Sequence, residues 1–165
     1  MPAPAAFAIR LMSEADRDAL REHVAALNAY EQPFSGDRDL TPAGTERSLA
    51  HILSRVADTG GATWVAEVKG RVIGHLCLIL ETMPPFVAPD QARIAYVSDA
   101  FVREPMRGRG VFRALLAEAE RFAIAAGATR IMIGVLAGNA LAEGAYRRAG
   151  FRPYALEMVK DLPRP

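Results

Sequence analysis

The stretch "FVREPMRGRGVFRALLAEAERF" at residues 101–122 joins a predicted strand to a predicted helix through a turn that holds two glycines and two arginines. The residues that lead into it, "RIAYVSDAFV" (93–102), are typical of a largely buried β-strand. The residues after it carry apolar side chains at helical spacing, which predicts an amphipathic helix. An ordinary turn needs neither the second glycine nor the arginines, so the presence of these residues needs an explanation beyond the reversal of the chain.

The geometry of this turn suits an anion. The first N–H groups of a helix have no partner within the helix, and the helix dipole adds about half a positive charge there. Gly108 and Gly110 let the backbone approach a ligand closely, and Arg107 and Arg109 add charges suited to phosphate oxygens. The turn therefore predicts a phosphate or pyrophosphate site, with a solvated surface loop as the alternative.

Two familiar phosphate motifs do not match this turn. The sequence has no G-x-x-x-x-G-K-[ST], which disfavours a P-loop nucleotidase. The dinucleotide motif G-x-G-x-x-G fails as well, because Arg113 stands where the third glycine belongs.

The rest of the chain alternates strands and helices. Ser13 and Asp16 form a capping-box pattern that starts a helix ending near Tyr30, and Glu31 to Gly44 is predicted to be a loop. Lys69-Gly70 is predicted to be a hairpin turn. Strands are predicted at 7–11, 63–68, 71–80, 93–102, 130–136 and 151–160, and further helices end near Gly60, Gly127 and Gly150. The order β-α-α-β-β-β-α-β-α-β predicts an α/β fold with a mixed sheet of about six strands and about four helices.

Two segments of the sequence resemble the GNAT superfamily of N-acetyltransferases. "RGRGVF" is similar to the acyl-CoA-binding motif Q/R-x-x-G-x-G/A, with Arg107, Gly110 and Phe112 on its defined positions. "NALAEGAYRRAGFRPY" (139–154) is similar to the segment N-x-x-A-x-x-x-Y-x-x-x-G-F of that family. The resemblance extends over nearly the whole chain and implies a single domain, residues 1–165, with a mostly antiparallel central sheet.

The resemblance also implies a set of residues that bind acetyl-CoA. The turn around Gly108 would present the backbone N–H groups of Arg109, Gly110, Val111 and Phe112 to the pyrophosphate. The backbone near Phe101 and Val102 would pair with the pantetheine arm, which Asn139 would also contact. In the family this strand carries a bulge and splays from the next one, "RIMIGVL". Phe112 departs from the Gly or Ala of the family, and a ring turned toward the core would leave its N–H available.

Acyl transfer to an amine needs a base and an acid. Asn139 and Tyr146 are seven residues apart and lie on one helix face, and Tyr146 is our candidate for the acid that reprotonates the thiolate. Asp99 is the candidate base, because a carboxylate within an apolar strand is costly to bury unless it is paired or functional. Glu143, Glu81 and a water relay are the alternatives.

The histidines and the cysteine are expected to have structural roles instead of catalytic or metal-binding ones. His23, His51 and His75 show no metal-ligand spacing, so no metal is expected, and His75 is expected to be packed or hydrogen-bonded. The single cysteine, Cys77, cannot form an internal disulfide and is expected in the core. With no secretory signal pattern at the N-terminus, this favours a cytoplasmic protein.

The amino-acid composition argues against nucleic acid and membrane as partners of this protein. The net charge of +1, with both signs scattered, gives no footprint for nucleic acid, and no apolar run reaches the roughly 18 residues of a membrane span. The acceptor site is expected between the loops 31–44 and 81–91 and the last strand. Their acidic and apolar residues favour a small cationic amine. A protein amino group is an alternative acceptor, a CoA-binding module without turnover is an alternative function, and a homodimer is expected from the family tendency.

Overall fold

The computed structural model describes residues 6–163, in which a five-stranded sheet lies between two layers of helices. The strands stand in the order β1-β2-β3-β4-β5 across the sheet. Their bounds are β1 Ala8–Leu11, β2 Ala62–Val68, β3 Arg71–Thr82, β4 Arg93–Val102 and β5 Arg130–Ile133. The helices are α1 Arg17–Ser35, α2 Pro42–Asp58, α3 Val111–Ala125 and α4 Ala140–Arg148. The α/β class, the mixed sheet and the four helices confirm the sequence prediction.

The sheet is antiparallel except at its last pair, where β5 runs parallel to β4. Lys69 and Gly70 both have positive φ angles, 49° and 76°, as a two-residue hairpin turn between β2 and β3 requires. The pairing of β4 with β5 ends at Val97 and Ile133, so the two strands separate beyond that point.

A bulge lies in β4 where this separation begins. Cys77 pairs with Asp99 and Leu78 pairs with Val97, which leaves Ser98 as an extra residue in β4. Side chains alternate between the two faces of a strand, so one extra residue reverses the facing of those that follow it. Val97 packs in the core beneath α3, whereas Asp99 faces the layer of α1 and α2.

Each face of the sheet has its own core. On one face α3 buries Leu115, Leu116 and Ala119 against Leu76 and Leu78 of β3. On the other face Leu20 and Val24 of α1 and Leu49 of α2 pack against Val65 and Val72. Because helices cover both faces of the sheet, the central residues of β3 are buried one after another, and buried residues do not alternate with exposed ones.

The start of α1 is held by a buried carboxylate. Ser13 and Asp16 form the predicted capping box at a 3₁₀ turn, Glu14–Asp16, that leads directly into α1. Asp16 accepts from the backbone N–H of Ser13 at 2.8 Å, which is a bond of the capping box, and also from the Ser13 hydroxyl at 3.0 Å. The guanidinium of Arg10 donates to both oxygens of Asp16, at 2.7 and 2.8 Å, and also to Glu67. These bonds hold the pKa of Asp16 well below its usual range.

The first predicted loop begins later than the sequence suggested. Helix α1 continues through Pro33 to Ser35 and ends at Gly36, whose φ is 74° and whose N–H donates to the carbonyl of Gln32. The prediction that the helix ends near Tyr30 was wrong. Pro33 lies in the last turn, where its missing N–H removes a single helical bond, and the ring of Phe34 packs on Tyr30 with centroids 5.6 Å apart.

The sixth predicted strand is not formed. Residues 152–163 have no regular secondary structure, and β5 ends at Ile133 instead of continuing to residue 136. The alternation in "YALEMVK" predicts a strand only where another layer covers its apolar face, and here Leu156, Met158 and Val159 are exposed. Among the helices of residues 6–163, none has the length and apolar character needed to cross a bilayer.

Candidate active site

A cavity of about 960 Å³ opens where β4 and β5 separate. Its walls come from the end of β4, the N-terminus of α3, the N-terminus of α4 and one side of α1 and α2. Asp99, Gly110, Asn139 and Tyr146, which the sequence singled out separately, all line it. The splay of the strands therefore brings the two sequence motifs to one site.

The RGRG turn adopts a backbone that favours glycine. Gly108 and Gly110 have φ angles of 71° and 82°, and Gly110 is the residue that immediately precedes α3. A Cβ atom placed on either glycine would meet no atom within 4 Å, so the space in front of the turn is open. The N–H groups at the start of α3, where Val111 is the first helical residue, have no acceptor within the helix. The turn thus has the shape and the donors of an anion cradle.

The two arginines of the turn have different surroundings. Arg109 is exposed, and it is not among the described residues that line the cavity. The Nε–H of Arg107 donates to the carbonyl of Val102 at 3.0 Å, and its guanidinium lies 5.7 Å from the centre of the Tyr30 ring. Arg107 therefore closes the loop between β4 and α3, and it engages the Val102 carbonyl that the sequence analysis assigned to the pantetheine arm.

Phe112 is one of the residues that line the cavity. Its ring packs on the core beneath α3 and lies 5.5 Å from the ring of Tyr146, centroid to centroid. Tyr146 in turn packs on Phe151 at 6.0 Å. The departure from the family pattern thus places an aromatic side chain at the wall of the cavity, in contact with both the core and Tyr146.

Asn139 and Tyr146 lie on the inner face of α4. The Asn139 side chain is buried, and its Oδ1 accepts from the N–H of Ala142 at 3.1 Å and from the hydroxyl of Tyr30 at 3.4 Å. Its amide nitrogen is the remaining donor. Burial, with smaller contributions from the charges of Glu31 and Asp99, raises the pKa of Tyr146 to about 12, so the phenol holds its proton at neutral pH.

The three candidate bases differ in their surroundings. Asp99 lines the cavity, and a tenth of its side chain is exposed. Glu143 is exposed and paired with Arg147 at 2.7 Å, and Glu81 is paired with Arg55. Neither glutamate is among the residues of 6–163 that line the cavity.

A chain of buried polar side chains behind Asp99 was missed as a site by sequence reasoning. His75 Nε2 lies 2.6 Å from Asp99 Oδ1, and His75 Nδ1 lies 3.1 Å from Nδ1 of His23 on α1. The hydrogen bond expected for His75 is present, but its partner was not foreseen. Strict alternation along β4 puts Asp99 on the same face as Val97, and only the bulge at Ser98 turns it toward His75.

Fewer segments contribute to the acceptor side of the cavity than the sequence predicted. Glu31 of α1 lines it and accepts from Arg38 Nε at 3.0 Å, and Glu157 of the C-terminal segment lines it as well. No residue of the loop 81–91 is found among the described lining residues, which contradicts the expected role of that loop. Between residues 6 and 163 there is also no cluster of three or more His, Cys, Asp or Glu side chains that could hold a metal ion.

Comparison with known proteins connects this site to a family. The family model described as the GNAT acetyltransferase family matches residues 21–151. A GCN5-related N-acetyltransferase from Ralstonia eutropha has 23% identity and a TM-score of 0.73, with 95% of this chain and 99% of that chain covered. The aminoglycoside N-acetyltransferase AAC(6')-Iy, solved in complex with CoA, has 17% identity and a TM-score of 0.72, with 98% of each chain covered.

A third similar structure is the BH1408 protein of Bacillus halodurans, solved as a tetramutant. It has 20% identity and a TM-score of 0.77, with 94% of this chain and 99% of that chain covered. A search of the curated proteins finds no match. At these identities the solved structures support the fold, and the family model identifies the family.

Proposed function

Because the chain belongs to the GNAT acetyltransferase family, we propose that it transfers an acetyl group from acetyl-CoA to a primary amine of a small molecule. The amine attacks directly while both substrates are bound. One observation carries this proposal: a single cavity joins the anion cradle at Gly110 to Asp99 and Tyr146, so a phosphate-bearing donor and a proton acceptor meet there.

The residues present fit acetyl-CoA. The open turn at Gly108 and Gly110 and the N–H groups at the start of α3 would hold the pyrophosphate, with the exposed Arg109 adding charge. The backbone of Phe101 and the amide nitrogen of Asn139 would contact the pantetheine arm. Bound in this way, acetyl-CoA supplies an activated thioester carbonyl and a thiolate leaving group.

Asp99 and Tyr146 divide the proton transfers. An alkyl ammonium with a pKa of about 10.4 is neutral in only about 1 molecule in 2,500 at pH 7, so the acceptor must lose a proton before it attacks. Asp99 takes that proton, the nitrogen–carbon bond forms and the carbon–sulfur bond breaks. Tyr146 gives its phenolic proton to the departing thiolate, and solvent exchange restores both groups.

The acceptor is a small cationic amine. Glu31, Asp99 and Glu157 all line the cavity, and their carboxylates favour a positively charged ligand. Arg38 offsets part of the charge of Glu31, so the preference rests mainly on the other two. An acceptor of this class agrees with the aminoglycoside N-acetyltransferase among the similar structures.

Calorimetric titration with acetyl-CoA tests the cradle. We expect saturable binding at one site in the wild type and its loss in Gly110→Glu, whose carboxylate would repel the phosphates. Gly70→Glu is the matched control, because Gly70 also has a positive φ, 76°, and open space around it, but lies in the hairpin turn far from the cavity. Equal loss in both variants, or no binding in the wild type, would overturn the proposal.

A panel of amines read by thiol release separates the alternatives. Turnover with small cationic amines supports the proposal, and turnover only with peptide amino groups would indicate a protein acetyltransferase. Binding of acetyl-CoA without turnover of any amine would indicate a CoA-binding module instead.

We also propose that the protein acts as a homodimer in the cytoplasm. Leu156, Met158 and Val159 are 81%, 89% and 92% exposed, and an apolar stretch of this kind is typical of a surface that another chain covers. Light scattering after size exclusion should give twice the mass of one chain, and cell fractionation tests the location.

A further inference from the structure

Three side chains from three elements form a buried line that ends at the cavity. Asp99 of β4 is next to His75 of β3, and His75 is next to His23 of α1, with polar atoms 2.6 and 3.1 Å apart. His75 is 1% exposed and His23 is fully buried. The two imidazole planes are within 10° of each other, and the Phe101 ring packs on His23 with centroids 4.7 Å apart. The line is therefore rigid and shielded from water.

The hydrogen bonds restrict where the protons can be. An ionised Asp99 accepts a hydrogen bond, so Nε2 of His75 must carry a proton and donate it. Two Nδ1 atoms then face each other, and one of them must be the donor. If His23 donates, His75 is neutral and is held in its Nε2–H form; if His75 donates, a cation is buried in the sheet.

The surroundings of His23 favour the neutral arrangement. Its Nε2 is buried, and no hydrogen-bond partner for it is found within residues 6–163, so a proton at Nε2 would be unsatisfied. Burial, the neighbouring His75 and the positive Arg103 lower the pKa of His23 to about 3, which keeps it neutral at pH 7. The nearby backbone of Val72 works in the other direction and raises the pKa of His23, but it forms no hydrogen bond with Nε2. The single proton of His23 thus belongs on Nδ1.

We propose that His75 is a positioning residue for Asp99, and that His23 fixes the tautomer of His75 that performs this task. The proposal deepens the proposed function, since it rests on Asp99 as the base. With Oδ1 of Asp99 held by His75, the carboxylate keeps one orientation, and its second oxygen is the one that accepts the proton of the amine.

Other titratable groups face this line. Cys77 of β3 is paired with Asp99 in the sheet, and the charge of Asp99, after burial, raises the pKa of its thiol. The charge of Asp99 helps to raise the pKa of Tyr146 on α4, and the charge of Arg103 helps to lower the pKa of His23. A pH profile therefore reports on the whole group, and a measurement that resolves individual nitrogen atoms is needed.

Nitrogen NMR of the full chain labelled with 15N-histidine supplies that measurement and does not depend on turnover. We expect His75 to show a protonated Nε2 and a bare Nδ1, and His23 to show the reverse, with both rings neutral at pH 7. A doubly protonated His75, or a proton on Nε2 of His23, would overturn the tautomer assignment. Asp99→Asn should shift the His75 signals most.

Kinetics test the positioning role. In His75→Leu we expect kcat to fall about 10- to 100-fold, the range found when the hydrogen-bonded partner of a functional ligand is removed. KM for acetyl-CoA and its calorimetric affinity should stay unchanged. His75→Gln retains an N–H at the position of Nε2 and should recover most of the loss. Thr63→Val is the control, since it removes a buried hydroxyl that bonds Cys77 outside the cavity.

A double-mutant cycle tests the role of His23. His23→Leu should lower kcat about fivefold, the equivalent of one net hydrogen bond, and His23→Asn should restore a donor near Nδ1. In the His75→Gln background His23→Leu should have no further effect, because an amide has no tautomer to set. Additive losses in the cycle, or no loss in His75→Leu, would overturn the positioning role.

The two arms separate the failure of this inference from failure of the proposed function. If the wild-type protein turns over no amine, the proposed function is wrong, and the kinetic role of His75 is wrong as well. The NMR spectra then still decide the proton arrangement. If turnover is present and His75→Leu is as active as Thr63→Val, only the positioning role is overturned.

Discussion

Asp16 and Asp99 are both nearly buried, with 6% and 10% of their side chains exposed, yet they are satisfied in different ways. Asp16 receives four hydrogen bonds, two from the Arg10 guanidinium and two from Ser13. Asp99 has a close contact with one imidazole nitrogen and lines a cavity. The first carboxylate joins a strand to a helix, and the second has capacity left for a ligand.

The contrast separates a structural carboxylate from the one that we propose to be functional. A bidentate arginine and a helix cap fill the acceptor sites of Asp16, so it contributes to the free energy of unfolding and has no site for a substrate proton. In the proposed arrangement a neutral histidine donates a single bond to Asp99 and leaves its other oxygen free to accept the proton of the amine. The same substitution at the two positions should therefore change different observables.

Asp99→Asn should have the largest effect. Asparagine keeps the shape and can still accept from His75, but it cannot take a proton from the amine. We expect kcat to fall about 10²- to 10⁴-fold, as for loss of a general base, with the urea midpoint nearly unchanged. Steady-state thiol release measures the rate. A variant with wild-type kcat would remove Asp99 from the mechanism and favour the water relay.

Asp16→Asn should have the opposite profile. It removes the charge that faces Arg10, and we expect the free energy of unfolding to fall by about 2 kcal/mol, less than for a fully buried pair because Arg10 is 39% exposed. Urea denaturation measures this loss, and kcat should not change. If kcat fell while stability held, the distinction between the two carboxylates would be wrong.

The change of stability between pH 6 and pH 5 gives the smallest effect, and it separates the two regions because His23 and Asp16 titrate in different pH ranges. His23 stays neutral in the folded state to about pH 3, whereas in the unfolded chain it takes a proton below about 6.5. The unfolded state therefore binds more protons in this window, and stability falls as the pH is lowered through it, by about 1.4 kcal/mol per pH unit at most.

His23→Asn should reduce that slope between pH 6 and 5, and Asp16→Asn should leave it unchanged. The folded pKa of Asp16 is lowered, so its contribution is present above the unfolded value of about 3.9 and is lost only below it. Chemical denaturation at a series of pH values measures both slopes. Equal slopes in wild type and His23→Asn would contradict the burial of a neutral His23.

Local patterns in the sequence predicted the features that depend on neighbouring residues. Ser13 and Asp16 predicted the start of the first helix, and Lys69-Gly70 predicted the hairpin turn. The RGRG turn predicted the N-terminus of α3. Each depends on backbone geometry within a few residues. For the site, Asn139 and Tyr146 were related by helix periodicity, and Asp99 was selected because a carboxylate within an apolar strand is costly to bury.

The failures arose where the outcome depends on distant contacts. Glu31 to Gly44 was predicted to be a loop, but α1 continues to Ser35, and Phe34 packs on Tyr30 in its last turns. The final strand was predicted from alternation, although whether a partner covers it is not a local property. The contact of His75 with Asp99 needs the register of β3 and β4, which the single extra residue Ser98 changes.

That extra residue in β4 also constrains how the gene can vary. Substitutions at Ser98 keep the count of residues in the strand and so keep the side chains after it on their present faces. Loss of that codon would also keep residues 99–102 on their present faces, because Asp99 would follow Val97 in regular alternation and still lie opposite Cys77. It would, however, remove the bulge and with it the bend that a bulge gives its strand. At this position the presence of an extra residue matters more than its identity, and point mutation and deletion have unequal consequences for the path of the strand that lines the site.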